Sequence, residues 1–283
     1  MRRHVAEIEV VGPWSLRTSR GFWKGFTPTA ISPSGDPGVL QTRFVSEHDW
    51  TPTTANVTQH GSAARIELFG DGDLNAAAEQ VASFLSLDID ATDWPDVGDR
   101  DPIIAGAQRA LPGFRPCGFY SPYEAAAWAV LSQRTRVPEA ARLRRDLMAI
   151  YGAHGAFPAP ADLIRAARTG ELVLPGRTAE YLVEVAHAAL DGVLHGPYLR
   201  ALPEDEARGQ LLAITGIGPF ATDLTLIRGT NAPDVLPRAE RHLDAEISHL
   251  YGPGVTLAEV SETWRPFRSW ASVHLRALRG QRR

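Results

Sequence analysis

The sequence is poor in two residue types. It has one cysteine, Cys117, which excludes an internal disulfide, a four-cysteine zinc site and a four-cysteine iron–sulfur cluster. It also has one lysine, Lys24, so most of its 29 basic residues are arginines. Chemistry that needs a lysine amine must use Lys24 or do without. Abundant Ala and Gly accompany the arginines, as G+C-rich coding would also give. No uncharged apolar run reaches the roughly 18 residues of a membrane span, and MRRHVAEIEV lacks a signal-peptide core. The expectation is a cytoplasmic, monomeric protein with no membrane partner. With 283 residues, 44% hydrophobic and 22% charged, the chain can build one large core or two small ones. Its net charge of −4 does not announce a nucleic-acid partner. The charge is uneven, however. Residues 1–95 carry 7 basic and 12 acidic groups, a balance of −5, and residues 96–283 carry 22 and 21, a balance of +1. The second part is the better candidate for a polyanion.

Residues 1–95 read as strands, turns and one helix. His4–Val10 alternates, and Val39–Val45 and Ala63–Leu68 are strand-like. Breakers separate them at Thr27-Pro28, 32–38 and 70–72. Asp73 caps a predicted helix through Leu87. The segment 88–101, with six aspartates, reads as a connection. Helices follow: one opened by Ser121, Pro122 and the N3 acid Glu124, then Pro138–Tyr151, Ala161–Thr169, Thr178–Asp191, Glu204–Ile214, Pro219–Arg228, Glu240–Tyr251 and Thr256–Leu278.

The most informative stretch is LLAITGIGPFATDLTLIRG, 211–229. Gly216, Ile217 and Gly218 form a tight turn between two helices, and Pro219 starts the second. Such a turn presents backbone N–H groups at a helix N-terminus, where an anionic oxygen binds without a cationic side chain. Ile217 can plug the gap between the helices. A generic helical hairpin with a glycine connector fits the same residues. No His, Asp and Glu spacing suggests a catalytic metal, and His242 and His274 read as structural. Trp264, Phe267 and Trp270 read as the core face of the last helix, and Trp128 as core.

Together with LPGFRPCGFYSPYEAAAWAVLSQ (111–133), LPGRTAEYLVEVAHAALDG (174–192), DVLP (234–237) and WRPFRSWASVHL (264–275), in that order along the chain, the hairpin resembles the HhH-GPD DNA glycosylases, and more closely their AlkA-like, 3-methyladenine DNA glycosylase II branch. The resemblance implies an α+β chain. An N-terminal antiparallel, TBP-like β-sheet domain over 1–95 precedes an all-α, two-lobed glycosylase domain over 96–283, with the helix-hairpin-helix at 205–229. It implies a double-stranded DNA partner and hydrolysis of the N-glycosidic bond of a flipped base, for base excision repair. It implies no cofactor beyond a monovalent cation that the hairpin carbonyls can hold.

The resemblance also implies roles for particular residues. The family's catalytic aspartate matches Glu240, which keeps the charge but adds a methylene; Asp244, four residues on, is a fallback. A solvated acid in a first helical turn is the alternative for each. The Schiff-base lysine of lyase-active members falls at Phe220, so a monofunctional hydrolase is implied. Gly216, Ile217, Gly218, Phe220 and Thr222 would contact DNA. Gln133 matches a family glutamine, and Arg134 falls at the position that fills the gap left by the flipped base; both also suit exposed helix-end residues. Pocket positions fall at Phe22, Phe220, Leu224, Arg241 and Arg276, with arginines where the family places aromatic rings. Arginines repel a cationic alkylated base, so the expected lesion is neutral or bears acceptors that Arg can fork onto. Arg276 equally suits an ion pair with Glu240 or Asp244. A weak or inactive DNA-binding protein on the same fold is the alternative function.

Overall fold

In the computed structural model, residues 1–25, 36 and 38–281 are described. Nearly all of the expected breakers at 27–28 and 32–38 lie outside them. The chain is α+β. Four antiparallel strands, β1 (Arg2–Glu9), β2 (Val39–Val45), β3 (Pro52–His60) and β4 (Ala63–Gly70), pair in the order β1-β4-β3-β2. Side chains alternate across each strand. Leu40, Phe44, Ala55, Val57, Ala64, Ile66 and Leu68 are buried in one cluster. That cluster includes Ala77, Ala78, Val81 and Phe84 of α2 (Leu74–Phe84), which Asp73 caps by accepting from Asn75 N and Ala76 N.

Two elements here escape the apolar pattern. β3, PTTANVTQH, has small or polar residues on both faces and begins at a proline, which a strand's first position tolerates. α1 (Leu16–Gly25) buries Leu16, Ser19, Arg20 and Trp23, the i, i+3, i+4, i+7 spacing of a helix written partly in polar residues.

The helical part follows. α3 (Trp94–Arg100) occupies the segment expected to be a plain connection, and α4 is Pro102–Ala110. α5 (Pro122–Leu131) starts as expected, with Ser121 Oγ accepting from Glu124 N. The Glu124 carboxylate turns inward to Arg144 at 2.6 Å. α6 (Val137–Tyr151), α7 (Pro160–Arg168) and α8 (Thr178–Leu190) follow, then α9 (Gly196–Ala201), which no sequence signal marked. α10 (Glu204–Leu212) and α11 (Pro219–Leu224) form the hairpin, and α11 runs into a single π-helical stretch, Thr225–Gly229. α12 is Arg241–Tyr251. The expected helix over 256–278 is instead α13 (Leu257–Ser261), a 3₁₀ turn (Glu262–Trp264) and α14 (Arg268–Gln281). The break falls where Pro266 forces Arg265 into extended backbone, ψ 139. Trp264, Phe267 and Trp270 are nevertheless all core.

A second core cluster joins α3, α4, α12 and α14 through Trp94, Ile104, Leu243, Ile247, Trp264 and Trp270. At its edge Asp101 caps α4 with one carboxylate oxygen, while the other accepts from Tyr251 Oη at 2.7 Å and Trp264 Nε1 at 2.8 Å. Arg115 ties the two halves of the chain. Buried, with Asp88 and Asp90 near enough to favour its charge, it donates to the carbonyls of Pro13, Ser86, Ile89 and Val11. Desolvation pulls its pKa down to about 10.

Candidate active site

A cavity of about 540 Å³ opens between the hairpin, α1 and α14, within the usual range for ligand pockets. Phe22, Phe220, Leu224, Glu240 and Arg276 line it, so five of the expected site residues meet at one place. Phe220 is 47% exposed there. Phe22 packs on Phe114 at 4.8 Å, and the Arg228 guanidinium lies 5.1 Å from its ring centre.

Glu240 sits at the N-cap of α12, with non-helical backbone (φ −103, ψ 83). Its Oε1 accepts from His242 N at 3.0 Å, and its Oε2 lies 3.6 Å from Arg276 Nε. With 22% of its side chain exposed, the carboxylate is fixed yet reachable. One oxygen is spent on the helix cap, whereas the other faces a cation at a separation longer than a hydrogen bond. The two readings of Arg276 therefore coexist: it lines the cavity and pairs with Glu240.

Asp244 and Arg241 do not join the cavity; both are exposed. The i, i+4 relation that made Asp244 a fallback requires residue 240 to be helical, and it is the cap. α12 turns Leu243, Glu246 and Ile247 inward, which leaves 241 and 244 on the solvent face.

The hairpin glycines differ. Gly216 has φ +93, and a Cβ there would meet the Tyr181 ring at 2.5 Å, so the fold itself demands glycine. Gly218 has φ −107, and a Cβ there would meet nothing within 4 Å. Its bareness faces open space. Ile217 is buried as the expected plug. Thr222 is buried too, so it belongs to the packing under the hairpin rather than to its outer face. Gln133 donates to Gly216 O at 2.6 Å and thereby buttresses the turn. Arg134 is exposed and holds a left-handed backbone, φ 52, unusual for a residue with a β-carbon. Within and beside the turn, Leu211 O and Ile214 O accept from Ile214 N and Ile217 N.

Several lining residues were missed. Trp128, expected only as core, is also wall. Ser272 lines the cavity from α14 with a buried Oγ that has no hydrogen-bond partner. Buried Asp223 and Arg228 complete the wall; burial pulls the pKa of Arg228 down to about 10. Only the i, i+4 spacing of Ser272 and Arg276 could have flagged any of these. His274 is buried, and its ring bonds Trp270 O through Nδ1 at 2.8 Å, a structural histidine as expected. Among the described residues, no group of three His, Cys, Asp or Glu could hold a metal.

Comparison with known proteins places the fold and shows what the chain resembles. No family model matches the chain. The chain is 31% identical over 179 residues to DNA-3-methyladenine glycosylase 2 of Escherichia coli, covering 59% of this chain and 61% of that protein. It is 23% identical over 210 residues to DNA-3-methyladenine glycosylase of Bacillus subtilis, 69% of each. The 3-methyladenine DNA glycosylase structure of Archaeoglobus fulgidus superposes with TM-score 0.75 over 98% of both chains, at 20% identity. These likenesses make the chain similar to AlkA-like DNA glycosylases and give it their fold. Among the described residues, Glu240 is the one carboxylate in the cavity wall besides the buried Asp223.

Proposed function

We propose that this AlkA-like chain is a monofunctional DNA glycosylase of base excision repair. It would bind double-stranded DNA, flip a base into the cavity and hydrolyse its N-glycosidic bond. The observation that carries the reading is the placement of Glu240 in one wall with Phe22 and Phe220. Rings can stack on an extruded base, and a fixed carboxylate stabilises the oxocarbenium-like charge that develops on the sugar as the bond breaks. The same carboxylate can orient the attacking water. Gly218, open in front, suits close approach of a phosphate to the backbone N–H groups beyond it. Arg134, exposed on its strained loop, would enter the stack left by the flipped base.

The placement of the amines supports hydrolysis without lyase action. The chain's one lysine, Lys24, is exposed and outside the cavity wall, and position 220 is a phenylalanine. The proposed architecture is a TBP-like sheet domain, 1–95, ahead of a two-lobed helical domain, 96–283. Arg228 and Arg276 bring guanidinium donors to a wall that also holds Asp223 and Glu240, and those donors favour a neutral or acceptor-bearing lesion. No helix among the described residues is long and apolar enough to cross a membrane, which accords with action on DNA in the cytoplasm.

One observation favours the second reading, a binding protein with little or no turnover: the Glu240 carboxylate is already engaged by His242 N and Arg276. Abasic-site formation in duplexes carrying alkylated, deaminated or oxidised bases separates the two. Wild type should turn over at least one lesion, and Glu240→Gln should lose about 100- to 1000-fold. Tight binding without turnover would establish the second reading. Best activity on 3-methyladenine or 7-methylguanine would end the preference for a neutral lesion.

A further inference from the structure

Beneath Glu240 runs a segment fastened at nearly every residue. Asp234 receives Arg268 Nε at 2.9 Å, and Val235 N donates to Ser269 Oγ at 2.9 Å, which ties the segment to α14. Arg208 of α10 then donates through Nη2 to Leu236 O at 2.8 Å. Its Nη1 donates to Asp223 Oδ1 of α11 at 2.5 Å. The other oxygen of Asp223 accepts from Ala239 N at 2.7 Å, one residue before Glu240. Both Asp223 and Arg208 are more than nine-tenths buried.

A buried ion pair is not a cheap stabiliser, because desolvation of two charges offsets most of their attraction. What such a pair can supply is register. Here each partner spends a remaining polar atom on the same short segment, at Leu236 O and Ala239 N, and the partners come from the two helices that flank the hairpin turn. A shift of about 1 Å in a catalytic group can cost on the order of 100-fold in rate, so fixing residue 239 fixes the origin of the Glu240 side chain.

We propose that Asp223, held by Arg208, is the positioning residue that sets Glu240 at a defined distance from the DNA-gripping hairpin. The inference rests on Glu240 acting as proposed above. Both Asp223 oxygens are taken, by Arg208 and Ala239 N, so its part is to couple the hairpin to the segment that carries Glu240.

Asp223→Asn is the informative substitution. An amide has one oxygen and one NH2, so whichever way it turns, a donor faces either Arg208 or Ala239 N. One of the two bonds is lost at almost constant volume. The expected result is a single-turnover excision rate at least tenfold lower, with lesion-DNA affinity within about twofold of wild type. The same substitution in a Glu240→Gln background should lower the residual rate no further. An equal loss in both backgrounds, or an affinity loss matching the rate loss, would overturn the positioning role.

Hydrogen exchange reads the clamp without turnover. In the wild-type protein the Ala239 amide should exchange at least tenfold more slowly than the amide of exposed Arg241 at the free start of α12. Fast exchange at Ala239 would overturn the proposal even if Asp223→Asn failed to fold. Conversely, slow exchange together with no excision of any lesion would retire the enzymatic reading and leave the clamp standing.

Discussion

The two walls of the cavity hold the same chemical pair in opposite states. On the hairpin side, Arg208 and Asp223 meet at 2.5 Å, buried, and their remaining polar atoms are taken up by Leu236 O, Ala239 N and the Glu204 carboxylate. On the α14 side, Arg276 and Glu240 stand 3.6 Å apart, part-exposed, and Ser272 Oγ has no partner. The first wall is completed by the protein. The second leaves donors and an acceptor over. A finished wall is scaffold, and an unfinished one is where a ligand can supply the missing bonds. The chain thus builds rigidity and reactivity from one type of contact by changing only burial and distance.

Breaking the finished wall should have the larger effect on stability. Arg208→Leu strands the Asp223 carboxylate in the interior, an uncompensated charge that costs about 3–5 kcal/mol. Chemical denaturation should show it, together with faster amide exchange across 236–240. A cost below about 1 kcal/mol would mean that the two walls are not different in kind.

A second test uses acid. His274 lies on α14 under the unfinished wall, and burial pushes its pKa down from 6.5 to about 4. The unfolded chain therefore takes up this proton at a higher pH than the folded one. Stability from this group is full above pH 6.5 and is lost as pH falls toward about 4. A thermal-melting series should fall across that window, and His274→Gln should flatten the fall. An unchanged slope in the variant would assign the acid sensitivity elsewhere.

Arg276→Ala should do least. A part-exposed pair at this separation contributes about 0–1 kcal/mol, so melting should move by a degree or two. The substitution should instead change which lesion is excised best. A stability loss like that of Arg208→Leu would put Arg276 with the scaffold.

How much of this was written in the chain depends on how local each feature is. Asp73, Ser121-Pro122 and Gly152 announce helix ends because capping is decided within three or four residues. The hairpin is legible for the same reason, and its resemblance to a family carried the eye to Glu240. β3 and α1 were silent because their buried positions include Thr53, Ser19 and Arg20, polar residues whose burial only the folded chain reveals. Thr222 was misplaced because hairpin membership does not say which face a residue takes. Asp244 and Arg241 failed on a single backbone angle pair, that of the cap at Glu240. The Arg208–Asp223 clamp was out of reach, since it joins α10, α11 and a loop that approach one another only through tertiary packing.

The Arg115 clamp bears on attempts to shorten this protein. Its four carbonyl partners, at Val11, Pro13, Ser86 and Ile89, all precede residue 95, while its guanidinium also lies 5.5 Å from the Trp270 ring centre near the other end of the chain. A fragment beginning near residue 96 would keep the hairpin, Glu240 and much of the cavity wall, yet would leave a cation at its heart with no acceptors. The sheet is thus no detachable ornament: truncation there would unseat the tryptophan-lined bed on which α14 rests.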